Sequence, residues 1–299
     1  MPAGFRSRGL FFVRCHSIAD GVATLESSSF ASNSHMDLQL NGKTALVTGS
    51  TAGIGHAIAT ALAGEDATVI VNGRTQARVD EALKRIQTTH KHAKVSGIAA
   101  DLGTREGAAA VLRALPEVDI LINNLGIFEP KAFVDITDED WEHIFEVNVL
   151  SGVRLSRQYL PVMLKKNWGR IVFISSESAV NIPTEMIHYG VTKTAQIALA
   201  RGLAETAAGT GVTVNSVLPG PTLSEGVGTF LGSLAKQQGV SLQEFEKQFI
   251  ETMRPSSVIR RLASPEEAAS LVAYVCSPLA SATTGAALRV DGGVVRSIF

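Results

Sequence analysis

Tyr189 and Lys193 stand four residues apart in His188-Tyr189-Gly190-Val191-Thr192-Lys193, and the Ala-rich run that follows suggests one helix for both. Positions i and i+4 share a helical face, so a phenol and an ammonium group would meet there. A neighbouring positive charge favours the ionised phenol and lowers its pKa toward a value useful for proton transfer. Such a spacing is common on helix surfaces, so a third group must converge on the pair before it signifies chemistry. The apolar run from Arg170 to Ile174 ends in two hydroxyls, Ser175 and Ser176. It reads as a buried parallel strand whose C-terminal end opens onto a site, and in open α/β sheets that edge is where ligands bind.

The elements that must position these groups are legible as an alternation. Apolar runs of strand length lie at 44–47, 68–71, 95–99, 120–122, 171–174, 212–217 and 287–290. Between them fall helical segments at 54–63, 76–89, 105–115, 138–165, 189–206 and 265–276, the last announced by Ser264-Pro265-Glu266-Glu267, an N-cap followed by Pro and first-turn acids. Alternating β and α predicts a parallel sheet, and hydrophobicity that runs continuously along the strands predicts helices on both faces. The expectation is an α/β protein: a single doubly wound (Rossmann) domain over 37–299 with a sheet of about seven strands. The beat breaks over 219–258, where Pro219-Gly220-Pro221 precedes two short amphipathic segments around 230–235 and 242–253. An insertion at a ligand edge is expected to serve as a lid.

Thr48-Gly49-Ser50-Thr51-Ala52-Gly53-Ile54-Gly55 directly follows the first strand and opens the first helix. Glycines there permit a tight turn and close backbone approach, and the helix N-terminus offers N–H groups and a positive dipole end to a pyrophosphate. With three residues between its first two glycines, and with Ser176, Tyr189 and Lys193 downstream, the chain resembles the classical short-chain dehydrogenase/reductase family. The resemblance runs from Leu40 to Gly293 and includes Asn123-Asn124-Leu125-Gly126, Asn148, Pro219-Gly220 and Val290-Asp291-Gly292-Gly293. One departure is Leu125, where the family usually carries Ala, which puts the cofactor pocket's dimensions in question.

The resemblance implies reversible hydride transfer between a nicotinamide and a carbonyl or alcohol carbon. It makes Tyr189 the proton donor or acceptor and Lys193 the group that lowers its pKa and holds the nicotinamide ribose. Ser176, chosen over Ser175 by its spacing to Tyr189, binds the substrate oxygen, and Asn148 holds a water that links Lys193 to solvent. For the cofactor it implies Gly49, Ser50, Thr51, Gly53, Ile54 and Gly55 at the pyrophosphate turn, and Asp101 and Leu102 at the adenine. Asn124 and Gly126 steady the sheet edge, and Pro219, Gly220 and Thr222 lie toward the nicotinamide. The second strand ends Val71-Asn72-Gly73-Arg74 and lacks the carboxylate that would accept from a free ribose, while Arg74 suits a 2′-phosphate. NADP is therefore expected, with NAD as the alternative.

At 299 residues, 45% hydrophobic and a formal net charge of -1, the chain can bury one sizeable core and carries no sustained basic run. Nucleic acid and membrane are not expected partners, and small-molecule chemistry is the default. Two cysteines, Cys15 and Cys276, supply neither a disulfide framework nor metal ligands, which fits a cytoplasmic protein without a metal. Residues 1–36 read as a disordered extension outside the fold, with Met36 as the natural start and a targeting segment as the alternative. Glu177, Asn181, Glu185, Met186 and His188 are candidate pocket residues, with Phe230, Phe245 and Phe249 on the lid. A homotetramer or homodimer packed through 138–165 and 189–206 is the assembly the family implies. A dinucleotide-binding protein without catalysis and an epimerase-type relative are the rival functions.

Overall fold

The computed structural model describes residues 36–298. Seven strands form one parallel sheet: β1 (Thr44–Val47), β2 (Thr68–Gly73), β3 (Val95–Ala99), β4 (Ile120–Asn123), β5 (Gly169–Ile174), β6 (Val212–Pro219) and β7 (Ala287–Val290). Their order is β3-β2-β1-β4-β5-β6-β7. The order reverses between β1 and β4, and the crevice at such a switch point is where an open α/β sheet binds ligands.

The alternation along each strand sorts side chains into two cores. Ala45, Val47, Val69, Val71, Ile120, Ile122, Val172 and Ile174 face one side, against α1 (Gly53–Gly64), α2 (Gln76–Thr89) and α9 (Pro265–Cys276). Leu46, Ile70, Leu121, Ile171 and Phe173 face the other, against α3 (Arg105–Ala114), α5 (Ser151–Lys166) and α6 (Ile187–Thr206). With both faces covered, the central strands β4 and β5 are buried throughout and largely apolar, whereas the edge strands β3 and β7 are only partly buried.

The expected helix over 138–165 is not one regular helix. It begins as α4 (Asp138–Phe145), behind a capping box built by Thr137 and Asp140, and continues through α5, but Glu146–Leu150 between them is π-helical. The wider turn changes which carbonyls are bonded within the helix, and such bulges recur at functional sites. Across 219–258, α7 (Glu225–Gln238) and α8 (Leu242–Met253) make a small core of their own from Leu231, Ala235, Phe245, Ile250 and Leu262. No described helix is long and apolar enough to cross a membrane.

Candidate active site

The Gly-rich turn is knitted from beneath. Asn124 Nδ2 donates to the carbonyls of Thr48 and Gly49, while Thr48 Oγ1 accepts from the backbone N–H groups of Asn124 and Leu125. Gly53 has φ +57, and a Cβ on Gly55 would overlap Asn124 Nδ2 and lie 2.7 Å from the Gly49 carbonyl. The turn thus requires glycine for its path and for its packing. Helix α1 begins at Ala52 without a side-chain cap, so its first-turn N–H groups are left for an anion. Ser50 is committed to the turn itself: its hydroxyl donates to Val47 O and accepts from Asn72 N, and its backbone N–H donates to Asn72 O at 2.9 Å. Asn72 also accepts from Gly49 N and donates to the carbonyls of Ile98 and Ala100, tying the ends of β2 and β3 to the turn.

At the C-terminal end of β5, Ser175 and Ser176 divide as their surroundings dictate. Ser175 Oγ donates to the Lys193 carbonyl at 2.8 Å, fastening α6 to the strand, and Ser176 lines a cavity with Tyr189. Lys193 is buried; its Nζ donates to Ile174 O at 2.9 Å and to Gln196 Oε1 at 3.3 Å, and lies 5.6 Å from the centroid of the Tyr189 ring. Burial pushes its pKa down to about 8. Tyr189 departs from expectation. Its phenol is pushed up to about 12 rather than lowered, because burial disfavours the phenolate and outweighs a side-chain hydrogen bond with Ser176 that pulls the other way. The buried ammonium is turned toward Ile174 and Gln196.

Asn148 sits in the π-helical turn, 1% exposed. Its side chain accepts from Ile127 N and donates to Ile127 O and Thr192 Oγ1, so it braces the loop after β4 against α6. Its backbone carbonyl accepts from Gln196 Nε2 at 2.6 Å. Gln196 therefore joins Lys193 to Asn148 directly, along the path for which the family implies a water. Gly126 borders the same cluster, since a Cβ there would lie 3.3 Å from Lys193 Nζ.

Two cavities flank these groups. One, of about 610 Å³, is lined by Ile54, Ser176, Tyr189, Pro219, Gly220 and Thr222 together with α7 and α8. Thr222 donates its hydroxyl to Gly220 O, holding the bend after β6. Of the candidate pocket residues, Glu177, Glu185, Met186, Phe245 and Phe249 line it. Asn181 and His188 do not: Asn181 is exposed, and His188 is buried edge-on against Trp141. The side chain of Phe230 lies outside the described residues. The second cavity, of about 600 Å³, is lined by Arg74, Asp101, Leu125 and Gly126. Leu102 is not part of that lining; its side chain is buried in the core. Asp101 accepts from Gly103 N through Oδ1, and Leu125 fills part of the wall where the family carries Ala.

Related sequences identify the family. The family model described as short chain dehydrogenase matches residues 43–230. The chain belongs to the short chain dehydrogenase family. Uncharacterized oxidoreductase YvaG of Bacillus subtilis (strain 168) is 54% identical over 264 residues, covering 88% of this chain and 100% of the relative. The 3-oxoacyl-[acyl-carrier-protein] reductase FabG of Aquifex aeolicus (strain VF5) is 34% identical over 263 residues, 87% of this chain and 100% of the relative. Among solved structures, L-sorbose reductase from Gluconobacter frateurii, complexed with NADPH and L-sorbose, superposes with a TM-score of 0.82 at 31% identity. That match covers 88% of this chain and 100% of the other. This short chain dehydrogenase is thus an oxidoreductase of the family.

Three of its site residues escape sequence reasoning. Gln196 stands three residues after Lys193, and that i, i+3 spacing is a signal that could have found it. Asn72 looks like an ordinary strand end until the three partners of its side chain are seen. Arg254, at the exit of α8, pairs with Glu177 across 77 positions, a distance that no local pattern spans.

Proposed function

We propose that this short chain dehydrogenase is an NADP(H)-dependent dehydrogenase/reductase acting on a C=O or secondary CH–OH group, with Tyr189 as general acid and base. The observation that carries this reading is the convergence of Ser176 and Tyr189, with Lys193 behind them, on a cavity that reaches Ile54 at the uncapped start of α1. When bound, the nicotinamide would supply or accept the hydride.

The chain's own residues then have distinct tasks. The first-turn N–H groups of α1, with the backbone of Thr51, would hold the pyrophosphate, with Ser50 bracing the turn, and Arg74 would pair with the 2′-phosphate. Asp101 and the Leu102 backbone would receive the adenine, and Asn124 and Gly126 would keep the turn and the sheet edge in register. Pro219, Gly220 and Thr222 would border the nicotinamide end. With its pKa near 12, Tyr189 keeps its proton at neutral pH and can donate it to a carbonyl oxygen during reduction. Ser176 would hydrogen-bond that oxygen as negative charge develops. Lys193, titrating near 8, is mostly an ammonium ion at neutral pH and would hold the ribose hydroxyls. Asn148 would position Lys193 through Thr192 and Gln196. Helices α7 and α8 would act as a lid. Leu150 and Val191, each 37% exposed, would contribute to a dimer or tetramer interface on the two long helical segments.

A spectrophotometric panel of carbonyls and alcohols with NADPH and NADH tests the reading. Reduction of one or more ketones or aldehydes with NADPH is expected. NADPH binding with no oxidation across the panel would favour the non-catalytic alternative.

A further inference from the structure

The cavity that Ser176 and Tyr189 line is apolar over most of its wall, with Phe128, Leu231, Leu234, Phe245, Phe249 and Met253 in its lining. That apolar surface reaches the reacting end. The Phe128 ring meets the Tyr189 ring edge to face, with centroids 6.1 Å apart and planes at 68°. Elsewhere the lining comes from α7 and α8, whose Leu231 and Phe245 also belong to the small core the two helices share. A space of about 610 Å³ with such walls is of the size that small-molecule ligands fill.

Polar side chains in the same wall are already engaged within the chain. Ser175 Oγ donates to Lys193 O, Ser178 Oγ to Glu177 Oε1, Thr222 Oγ1 to Gly220 O and Thr252 Oγ1 to Gln248 O. Ser224 Oγ accepts from Val227 N at the cap of α7. The wall holds two acidic side chains and one basic one, and they answer one another: Arg254 Nε donates to Glu177 Oε1 at 2.8 Å, and its Nη1 lies 3.6 Å from Glu185 Oε1. Among the described residues no second cation lines the cavity to receive a carboxylate or a phosphate. Gln238 and Gln248 are exposed, where the wall meets solvent. Ser176 and Tyr189 remain as the pair that would face a substrate oxygen.

We propose that this cavity takes an uncharged ketone or aldehyde with a hydrocarbon or aromatic body, and disfavours polyhydroxylated and anionic carbonyl compounds. The inference rests on the carbonyl-reductase reading above. Each apolar group of such a body leaves water for the side chains of α7 and α8, and that transfer favours binding in proportion to the surface covered. A polyhydroxylated ketone gains nothing from these walls: its hydroxyls would leave water for Phe128, Leu231 and Phe249 without partners, and burying an unpaired polar group is unfavourable. A carboxylate fares worse, since Glu177 and Glu185 already share Arg254. Polar recognition is thereby confined to the reacting oxygen, and the apolar wall selects the rest.

Matched ketones test this: the series 2-butanone, 2-hexanone and 2-octanone, then L-erythrulose, which is 2-butanone with three hydroxyls, and 2-oxooctanoate, which is 2-octanone with its methyl exchanged for a carboxylate. Binding to the NADPH-loaded protein is read from NADPH fluorescence, and turnover from NADPH absorbance. Each added methylene is expected to tighten binding about twofold to fourfold, with kcat/KM rising in step. L-Erythrulose is expected to bind more weakly than 2-butanone, and 2-oxooctanoate about tenfold more weakly than 2-octanone. In Phe249→Ser the factor per methylene is expected to fall below about twofold. A flat chain-length series would overturn the proposal. So would L-erythrulose binding as tightly as 2-butanone, 2-oxooctanoate binding as tightly as 2-octanone, or a folded Phe249→Ser variant with an unchanged factor. Should that variant fail to fold, the wild-type comparisons alone decide. The expected binding order without turnover would sustain the apolar site and overturn the hydride-transfer reading, whereas turnover with a flat series would do the reverse.

Discussion

Gly73 offers the sharpest test of how the chain would choose its cofactor. It ends β2, is buried, and a Cβ there would overlap Thr51 Cγ2 and lie 3.4 Å from Val79 Cγ2. An Asp at this position would supply the carboxylate that a free ribose prefers, but it must first displace Thr51. Overpacking of this kind costs about 1–3 kcal/mol, so Gly73→Asp alone is expected to unfold at lower denaturant concentration. Thr51→Ser removes the overlapping methyl, and the double variant should recover most of that loss. The cofactor effect follows from charge. A carboxylate about 5 Å from a phosphate at an effective dielectric of about 20 is disfavoured by about 3 kcal/mol per charge pair. Even half of that shifts the NADPH-to-NADH ratio by more than about tenfold, and a carboxylate beside Arg74 would also draw its guanidinium from the phosphate. The assay is kcat/KM with each cofactor on one reducible ketone, with cofactor binding measured by fluorescence. A double variant that keeps its NADPH preference within about threefold of the parent would refute the placement of the 2′-phosphate at Gly73 and Arg74.

Tyr189→Phe is expected to lower reduction by about 100-fold to 10,000-fold, the usual worth of a positioned proton donor, while NADPH affinity stays within about twofold; stopped-flow turnover and fluorescence titration check both. The pH profiles should separate the two directions. Reduction should hold across neutral pH and decline above about 8 as Lys193 loses its charge, whereas alcohol oxidation, which needs the phenolate, should climb with pH, and initial rates across a buffer series decide it. Gln196→Leu should move the alkaline limb of reduction to lower pH, because the Lys193 ammonium loses an acceptor in a buried site, and Gln196→Glu should move it higher; a merely structural role for Gln196 would leave the limb in place in any variant that folds.

The sheet was legible because its signals are local. A strand buried on both faces is largely apolar along its length, as Ile120–Asn123 and Gly169–Ile174 are, while the edge strands Val95–Ala99 and Ala287–Val290 are only partly buried and show up through their spacing in the alternation. The Gly-rich turn was legible for a similar reason, since φ and close packing act on single residues. The π-helical turn at Asn148 was not, because a pattern of apolar positions every three or four residues survives one inserted residue almost unchanged. Nor was the state of Tyr189. Spacing placed a phenol beside an ammonium ion and implied a depressed pKa, but the sign of the shift depends on how deeply both are buried and on where the ammonium points. Lys193 points to Ile174 and Gln196, and burial raises the phenol's pKa against the hydrogen bond with Ser176 and the charge of Arg254.

The same distinction separates the class of reaction from the substrate. Groups that would handle protons and hydride come from adjacent stretches of α6, β5 and the α1 turn, where short motifs carry the signal. The wall that would meet the substrate is assembled from distant stretches: Glu177 after β5, Glu185 before α6, and Phe245, Phe249 and Arg254 from the insertion between β6 and α9. Position in the chain marks Glu177, Glu185, Phe245 and Phe249 as candidates, but Arg254 looks unremarked in its own neighbourhood, and only the fold sets it against Glu177. Specificity in such a site would lie in pairs with large sequence separation, so substitutions in α7 and α8 should change which compound is accepted while leaving Tyr189 and Lys193 in place.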